Sequence, residues 1–327
     1  MTQGLFTPDE VSAMIRAGKN LLLAADDKLL SKLPPGNWIG GSTPFFILHP
    51  ENRTTSFEKI FVNQLPDFVT KTEIREYDET NIKNIFRDSP DNGFTVLIIP
   101  YATPVAIEYS INATNYKDFA AHPVCGWLSG QPLDIIMTEK SYSASGAGPR
   151  ITSDKAFAMH ITLPESKYAE IHIFNPYRQG KGDSIRFDCD SILVTDAQIN
   201  GEKRNFAEYL REIKYDMLMP LVADYSGAMI NNVVCATDGN QVPMSAPVFK
   251  FVEYKIAEVD DNIVEPTLIS DNIVFSVTCI GNFLQPQICE QYLRKMNGPV
   301  VFGEIAYQQL GQTTVYVTIN DVEPFNM

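Results

Sequence analysis

The sequence predicts an α+β or α/β protein: two mixed β-sheet halves, with flanking helices, packed around a shared core. Three observations predict it. Short apolar runs rich in β-branched residues recur, at 94–99 and 273–278 among others, and read as buried strands. Segments with helical spacing lie between them, such as Phe206, Tyr209, Leu210 and Ile213. Over 327 residues, 44% are apolar and 20% charged, which is ordinary globular usage with room for two domains or one large unit.

The elements follow in order. Thr7-Pro8-Asp9-Glu10 opens a helix, with a capping hydroxyl, Pro at the first helical position and acids in the first turn. Val11, Met14 and Ile15 give it an apolar face, and Gly18 ends it. Residues 21–25 are a buried run, strand or helix. Pro34-Pro35-Gly36 breaks the chain before a strand pair over 38–48. An amphipathic helix is expected over 77–86, a buried strand over 94–99 and a loop over 141–149. Residues 157–163 and 168–174 alternate as two strands of a meander, and 188–194 is a candidate third. Asn200-Gly201 is a turn signal, followed by a helix over 202–213. Strands are expected over 248–256, 273–278, 300–302 and 313–319, with a helix over 285–296. The meander ends near Asn200, so the expected halves are 1–200 and 201–327.

Lys plus Arg number 26 against 40 Asp plus Glu, a formal net charge of −14. That field repels nucleic acid and anionic membranes, and no dense Lys/Arg cluster offsets it. The N-terminus lacks a basic segment followed by an apolar core, and the apolar runs fall far short of the ~20 residues of a spanning helix. Cys125, Cys189, Cys235, Cys279 and Cys289 are odd in number, widely spaced and without a C-x-x-C pair. They fit a reduced cytoplasm rather than a disulfide framework or a zinc ribbon.

Searches for known chemistry narrow the options. No G-x-x-x-x-G-K-[ST], G-x-G-x-x-G or G-x-S-x-G is present, and Gly146-Ala147-Gly148 runs into Pro149, which has no N–H to give a phosphate. The histidines are His49, His122, His160 and His172, without metal-site spacing. His160 and His172 would face each other if their strands formed a hairpin, and such a pair holds a metal or makes a sheet contact. Cys125 is a buried apolar residue or a nucleophile, with His122 a nearby base in sequence. Asp188 and Asp190, flanking Cys189, would share one face of a strand.

Three small-residue segments remain: Gly40-Gly41-Ser42-Thr43, Cys125-Gly126 with Trp127 to Gly130, and Gly303-Glu304-Ile305. Glycine at a strand marks close backbone approach, either to another segment or to a ligand. Both readings stand. In the ligand reading, the site residues are Gly40, Gly41, Ser42, Thr43, Cys125, Gly126, Gly303 and Glu304. Hydroxyls and backbone N–H groups would hold a carboxylate, and a buried Glu304 an ammonium. The alternative for Glu304 is a salt bridge or a capping role.

Several stretches resemble the FIST sensory domain. Val274 to Gly281 (VFSVTCIG) resembles that family's strand ending in Cys and Gly. Gly298 to Ala306 (GPVVFGEIA) resembles its G-x-x-x-x-G-E-I signature, and Thr313 to Thr318 its closing strand. Ile39-Gly40-Gly41-Ser42-Thr43 resembles its I-G-x-[ST]-[ST] element. Asn282 stands where that family carries Arg, and Trp127 where a second Gly would fall. The resemblance implies a cytoplasmic, non-catalytic sensory protein that binds a small molecule, with amino acids as candidate ligands. No cofactor is expected; some relatives in that family bind haem, which keeps haem open. A histidine kinase or cyclase is the implied partner. The alternatives are an enzyme using Cys125 or His122, and a scaffold for such a separately encoded partner.

Overall fold

Strand Gly93–Pro100 is buried on both faces, which is why its sequence runs apolar without alternation. Val96 and Ile98 point to one side and Leu97 and Ile99 to the other, each into a separate apolar cluster. The computed structural model that places it describes residues 2–49, 52–136, 138–148, 150–260, 272–293 and 296–323. The central sheet runs Gln308–Leu310, Glu304–Ala306, Val124–Ser129, Gly93–Pro100, Ala156–Thr162, Lys71–Tyr77.

Two sheets face it. An N-terminal sheet runs Gln3–Phe6, Ile60–Gln64, Leu21–Ala25, Trp38–Ser42, Ser143–Ser145, Arg150–Thr152. A closing sheet runs Lys167–Phe174, Thr314–Asp321, Ile273–Cys279, Gly298–Val301, Phe45–Leu48, Asn52–Thr55. The main core lies between these layers and joins Ile98, Trp127 and Met159 to Leu22, Ile39, Phe275 and Val315. Trp127 stacks on Phe275 with ring centroids 5.8 Å apart. Central and closing sheets both combine strands from the two sides of residue 200.

Helices cover the outer faces. Pro8–Arg16 starts as its sequence dictates: the Thr7 hydroxyl accepts from the Glu10 N–H, and Glu10 Oε2 takes the Thr7 N–H at 2.8 Å. It buries Val11 and Ile15 on the outside of the N-terminal sheet, against Leu21 and Leu23. Helix Pro104–Asn112, capped by Thr103, lies on the outer face of the central sheet. Strands make up 45% and helices 17%, so the protein is mostly β, and the flanking helices are a minor part of it.

The chain leaves the closing sheet at Phe174 and returns to it at Ile273. Between them it builds a separate unit. Strands Tyr177–Gln179, Ile185–Arg186, Asp196–Ile199, Glu202–Asn205, Leu221–Tyr225, Ala228–Asn232 and Glu253–Val259 form its sheet, and Ser191–Val194 pairs with Val242–Val248. Helix Phe206–Glu212 packs on it around Phe187, Phe206, Leu210 and Tyr254. Residues 200 and 201 form the hairpin turn between Asp196–Ile199 and Glu202–Asn205.

Several elements differ from the sequence expectation. Residues 157–163 and 168–174 are no hairpin: Ala156–Thr162 belongs to the central sheet and Lys167–Phe174 to the closing one. The expected helix over 77–86 is the end of a strand, a 3-10 turn at Ile82–Asn84 and one α-turn at Ile85–Asp88. The loop over 141–149 contains strand Ser143–Ser145, paired with Gly41 and its neighbours. Glu202–Asn205 is a strand, so the helix there starts later, at the Asn205 cap. The strand over 248–256 splits at Phe251, whose φ is +69°. Of the helix over 285–296, Pro286–Ile288 is α and Cys289–Leu293 is π; residues 294 and 295 lie outside the described residues.

Candidate functional site

The three small-residue segments do converge, deep between the sheets. Glu304 pairs with Trp127 and Ile305 with Gly126. The Gly130 N–H donates to Ser42 O at 2.7 Å, and the Leu128 N–H to Gly303 O at 2.8 Å. A Cβ on Gly41 would lie 2.7 Å from Trp127 Nε1, and one on Gly40 3.1 Å from Leu23 O. Gly126 has φ of +146°, and a Cβ there would lie 1.8 Å from Leu97 O. Close packing accounts for these glycines. The hydroxyls are engaged inside the fold: Ser42 Oγ accepts the Tyr142 N–H at 2.9 Å, and Thr43 Oγ1 donates to Val300 O at 2.7 Å.

Glu304 is fully buried. Its Oε1 accepts the Thr313 N–H and hydroxyl, each at 2.7 Å, whereas Oε2 has no N–H or O–H donor among the described residues. Burial raises its pKa to about 7, and the Thr313 donors only partly offset that. Cys279 lies beside the carboxyl, and burial together with the Glu304 charge pushes its thiol well up. Of the two bland readings, the capping one fits: Glu304 holds the turn at Thr313.

The other candidates separate. Cys125 is fully buried, faces Thr95 O at 3.6 Å, and burial pushes its thiol up, which leaves little thiolate at neutral pH. His122 sits half-buried in the loop before strand Val124–Ser129. His172 stacks on Tyr316 and bonds Thr318 Oγ1 at 2.9 Å, in a different sheet from His160, so the facing-pair metal site is overturned. Asp188 and Asp190 lie in an exposed bend rather than a strand; Asp190 Oδ1 accepts the Lys250 N–H at 2.7 Å. Among the described residues, no group of three or more His, Cys, Asp or Glu is placed to hold a metal.

His160 belongs to a buried polar chain. The Tyr77 hydroxyl donates to Asp88 Oδ2 at 3.1 Å, so its oxygen accepts from His160 Nε2 at 3.0 Å. Nδ1 then accepts from Thr95 Oγ1 at 2.8 Å. Burial lowers the His160 pKa to about 4, which keeps the ring neutral. A polar groove of about 610 Å³ with Lys71, Asp91 and Glu165 opens above it.

A cleft of about 470 Å³ lies where the inserted unit meets the sandwich. One wall is Ser110 and Thr114, at the end of helix Pro104–Asn112, which the Tyr109 hydroxyl ties to Tyr307 O at 2.8 Å. The opposite wall is Ala223, Tyr225, Ile230, Phe249 and Tyr254 of the inserted unit, and Gln308 and Gln309 close the third side. Among the described residues, none that lines it is Asp, Glu, Lys, Arg, His or Cys, and none is one of the eight residues expected from the sequence. The volume falls in the range of small-molecule sites, roughly 300–1,000 Å³.

A family model described as a family of unknown function (DUF6976) matches residues 6–320. The chain belongs to DUF6976. No curated protein matches it. As a DUF6976 member it has, among its described residues, no helix long and apolar enough to cross a membrane. The sequence reading missed the cleft because its walls went unread. Thr103-Pro104 carries the same cap-and-proline signal as Thr7-Pro8, and strand Ala228–Asn232 lies in a stretch for which no element was expected.

Proposed function

We propose that the chain binds a small molecule, without acting on it chemically, in the cleft between the inserted unit and the sandwich. One observation carries this reading: a cleft of ligand size whose lining, among the described residues, holds no carboxylate, His, Cys, Lys or Arg. General acid–base and thiol catalysis draw on those groups, whereas binding needs only apolar surface and a few placed hydrogen-bonding groups. The cleft joins two separately packed bodies, so an occupant would touch both. That suits a sensor, whose ligand must bias one arrangement of its parts over another. The FIST-like motifs support the same class of function and add a cytoplasmic setting with a kinase or cyclase as reader.

The test is a ligand-detected NMR fragment screen on the whole chain and on Ala228→Trp. Ala228 is exposed at the start of an edge strand and lines the cleft, so the indole fills the cavity without entering a core. Fragments that bind the parent chain and lose binding in the variant are expected. Fragment binding indifferent to the indole, or no binding at all, would remove this reading.

A further inference from the structure

We infer that the cleft takes an uncharged, ring-bearing molecule with an exposed hydrogen-bond acceptor, of the aromatic amide or lactam class. This rests on the cleft being the ligand site. The described lining offers no counterion, so an entering carboxylate or ammonium would lose its water without compensation. The Asp190 charge acts on Tyr225 and Tyr254, but it is outside the lining and already accepts the Lys250 N–H. With a formal charge of −14, the chain also repels anions.

Several polar groups of the cleft are spent inside the fold. Asn231 exchanges two hydrogen bonds with Asn175, each at 2.9 Å, and Asn232 holds Ala246 O and Pro247 O. Ser110 donates back into its own helix at 2.6 Å. Besides the Thr114 and Tyr225 hydroxyls, which line the cleft as well, two groups stand beside its ring surface. The Tyr254 oxygen accepts the Phe249 N–H at 2.9 Å, and no acceptor among the described residues takes its hydroxyl hydrogen. The Gln308 carboxamide makes no hydrogen bond with any described residue. Both offer a hydrogen to a ligand acceptor, and Gln308 also accepts one. Phe249, Tyr225 and Tyr254 supply ring surface for a flat partner. A zwitterionic amino acid matches neither the charge nor the donor pattern.

The experiment titrates matched probes into the full chain by saturation-transfer NMR. Benzene, naphthalene and indole rings each carry a carboxamide, a carboxylate, an aminomethyl or an amino-acid side arm. The carboxamides are expected to bind at least tenfold tighter than their charged partners, and Tyr254→Phe to weaken them about threefold to tenfold. Charged probes that bind as tightly, at a position Ala228→Trp blocks, overturn the ligand class and leave the binding reading intact. If no probe binds in a way that Ala228→Trp blocks, both fall.

Discussion

Thr313 grips Glu304 by one oxygen only. Its N–H and hydroxyl both reach Oε1 at 2.7 Å, whereas Oε2 has no N–H or O–H donor among the described residues in a fully buried site. A carboxylate in that position is under-solvated, and the proton it retains is the physical response.

A pH signature follows. The native pKa of about 7 lies above the ordinary 4.5, so the native state holds the proton more tightly than the unfolded chain. No penalty exists below pH 4.5. It grows as pH rises to about 7, then stays constant, and totals on the order of 3 kcal/mol. Glu304→Gln removes it, so the variant should gain stability relative to the parent as pH rises from 5 to 7.5. Urea denaturation of both proteins across that range measures this, and parallel curves would sink the assignment.

Gly41→Ala should cost about 1–3 kcal/mol, because the new methyl meets Trp127 and Ile98 at under 3 Å. Gly126→Ala should cost more, since its obstacle is the Leu97 carbonyl and its φ is one that alanine resists. Chemical denaturation measures both. A neutral Gly41→Ala would mean that this glycine is not there for packing.

These glycines also mark how far the sequence could be read. Their position at close backbone approach was legible, because a missing side chain in an apolar strand has few other uses. What they approach was not: Gly41 meets Trp127 across two sheets, and nothing local encodes that. The strand at 94–99 and the first helix were legible from β-branching and from the cap at Thr7. Pairing was not, and residues 167–174 find their partner at 314–321 rather than next door. The cleft is a product of such distant pairing, so no motif announces it.

The thiols should separate by exposure. Cys189 is exposed, and Cys125, Cys279 and Cys289 are buried. Cys235 is exposed too, but its thiol is pushed up to about 11 by burial of the sulfur. Iodoacetamide at pH 7.5 should therefore mark Cys189 first and Cys235 slowly, while Cys125 reacts only on unfolding. Peptide mass mapping reads the order. Rapid labelling of Cys125 in the folded chain would instead revive it as a nucleophile.

His160 makes the opposite pH demand from Glu304. Its native pKa of about 4 lies below the ordinary 6.5. The unfolded chain therefore gains a proton as pH falls below 6.5 and the native state does not. Stability drops by up to about 3 kcal/mol between pH 6.5 and 4. Over pH 4.5–6.5 this runs against the Glu304 effect, and the two largely cancel. Glu304→Gln should uncover a stability that rises with pH in that window. The ring itself should stay neutral, with Nε2 protonated and Nδ1 bare, in ¹⁵N NMR spectra from pH 5.5 to 8. Tyr77→Phe breaks the chain in the middle and leaves both His160 Nε2 and Asp88 short of a partner, at a cost of about 1–3 kcal/mol. A His160 that titrates near 6.5 in the folded protein would contradict the oriented chain.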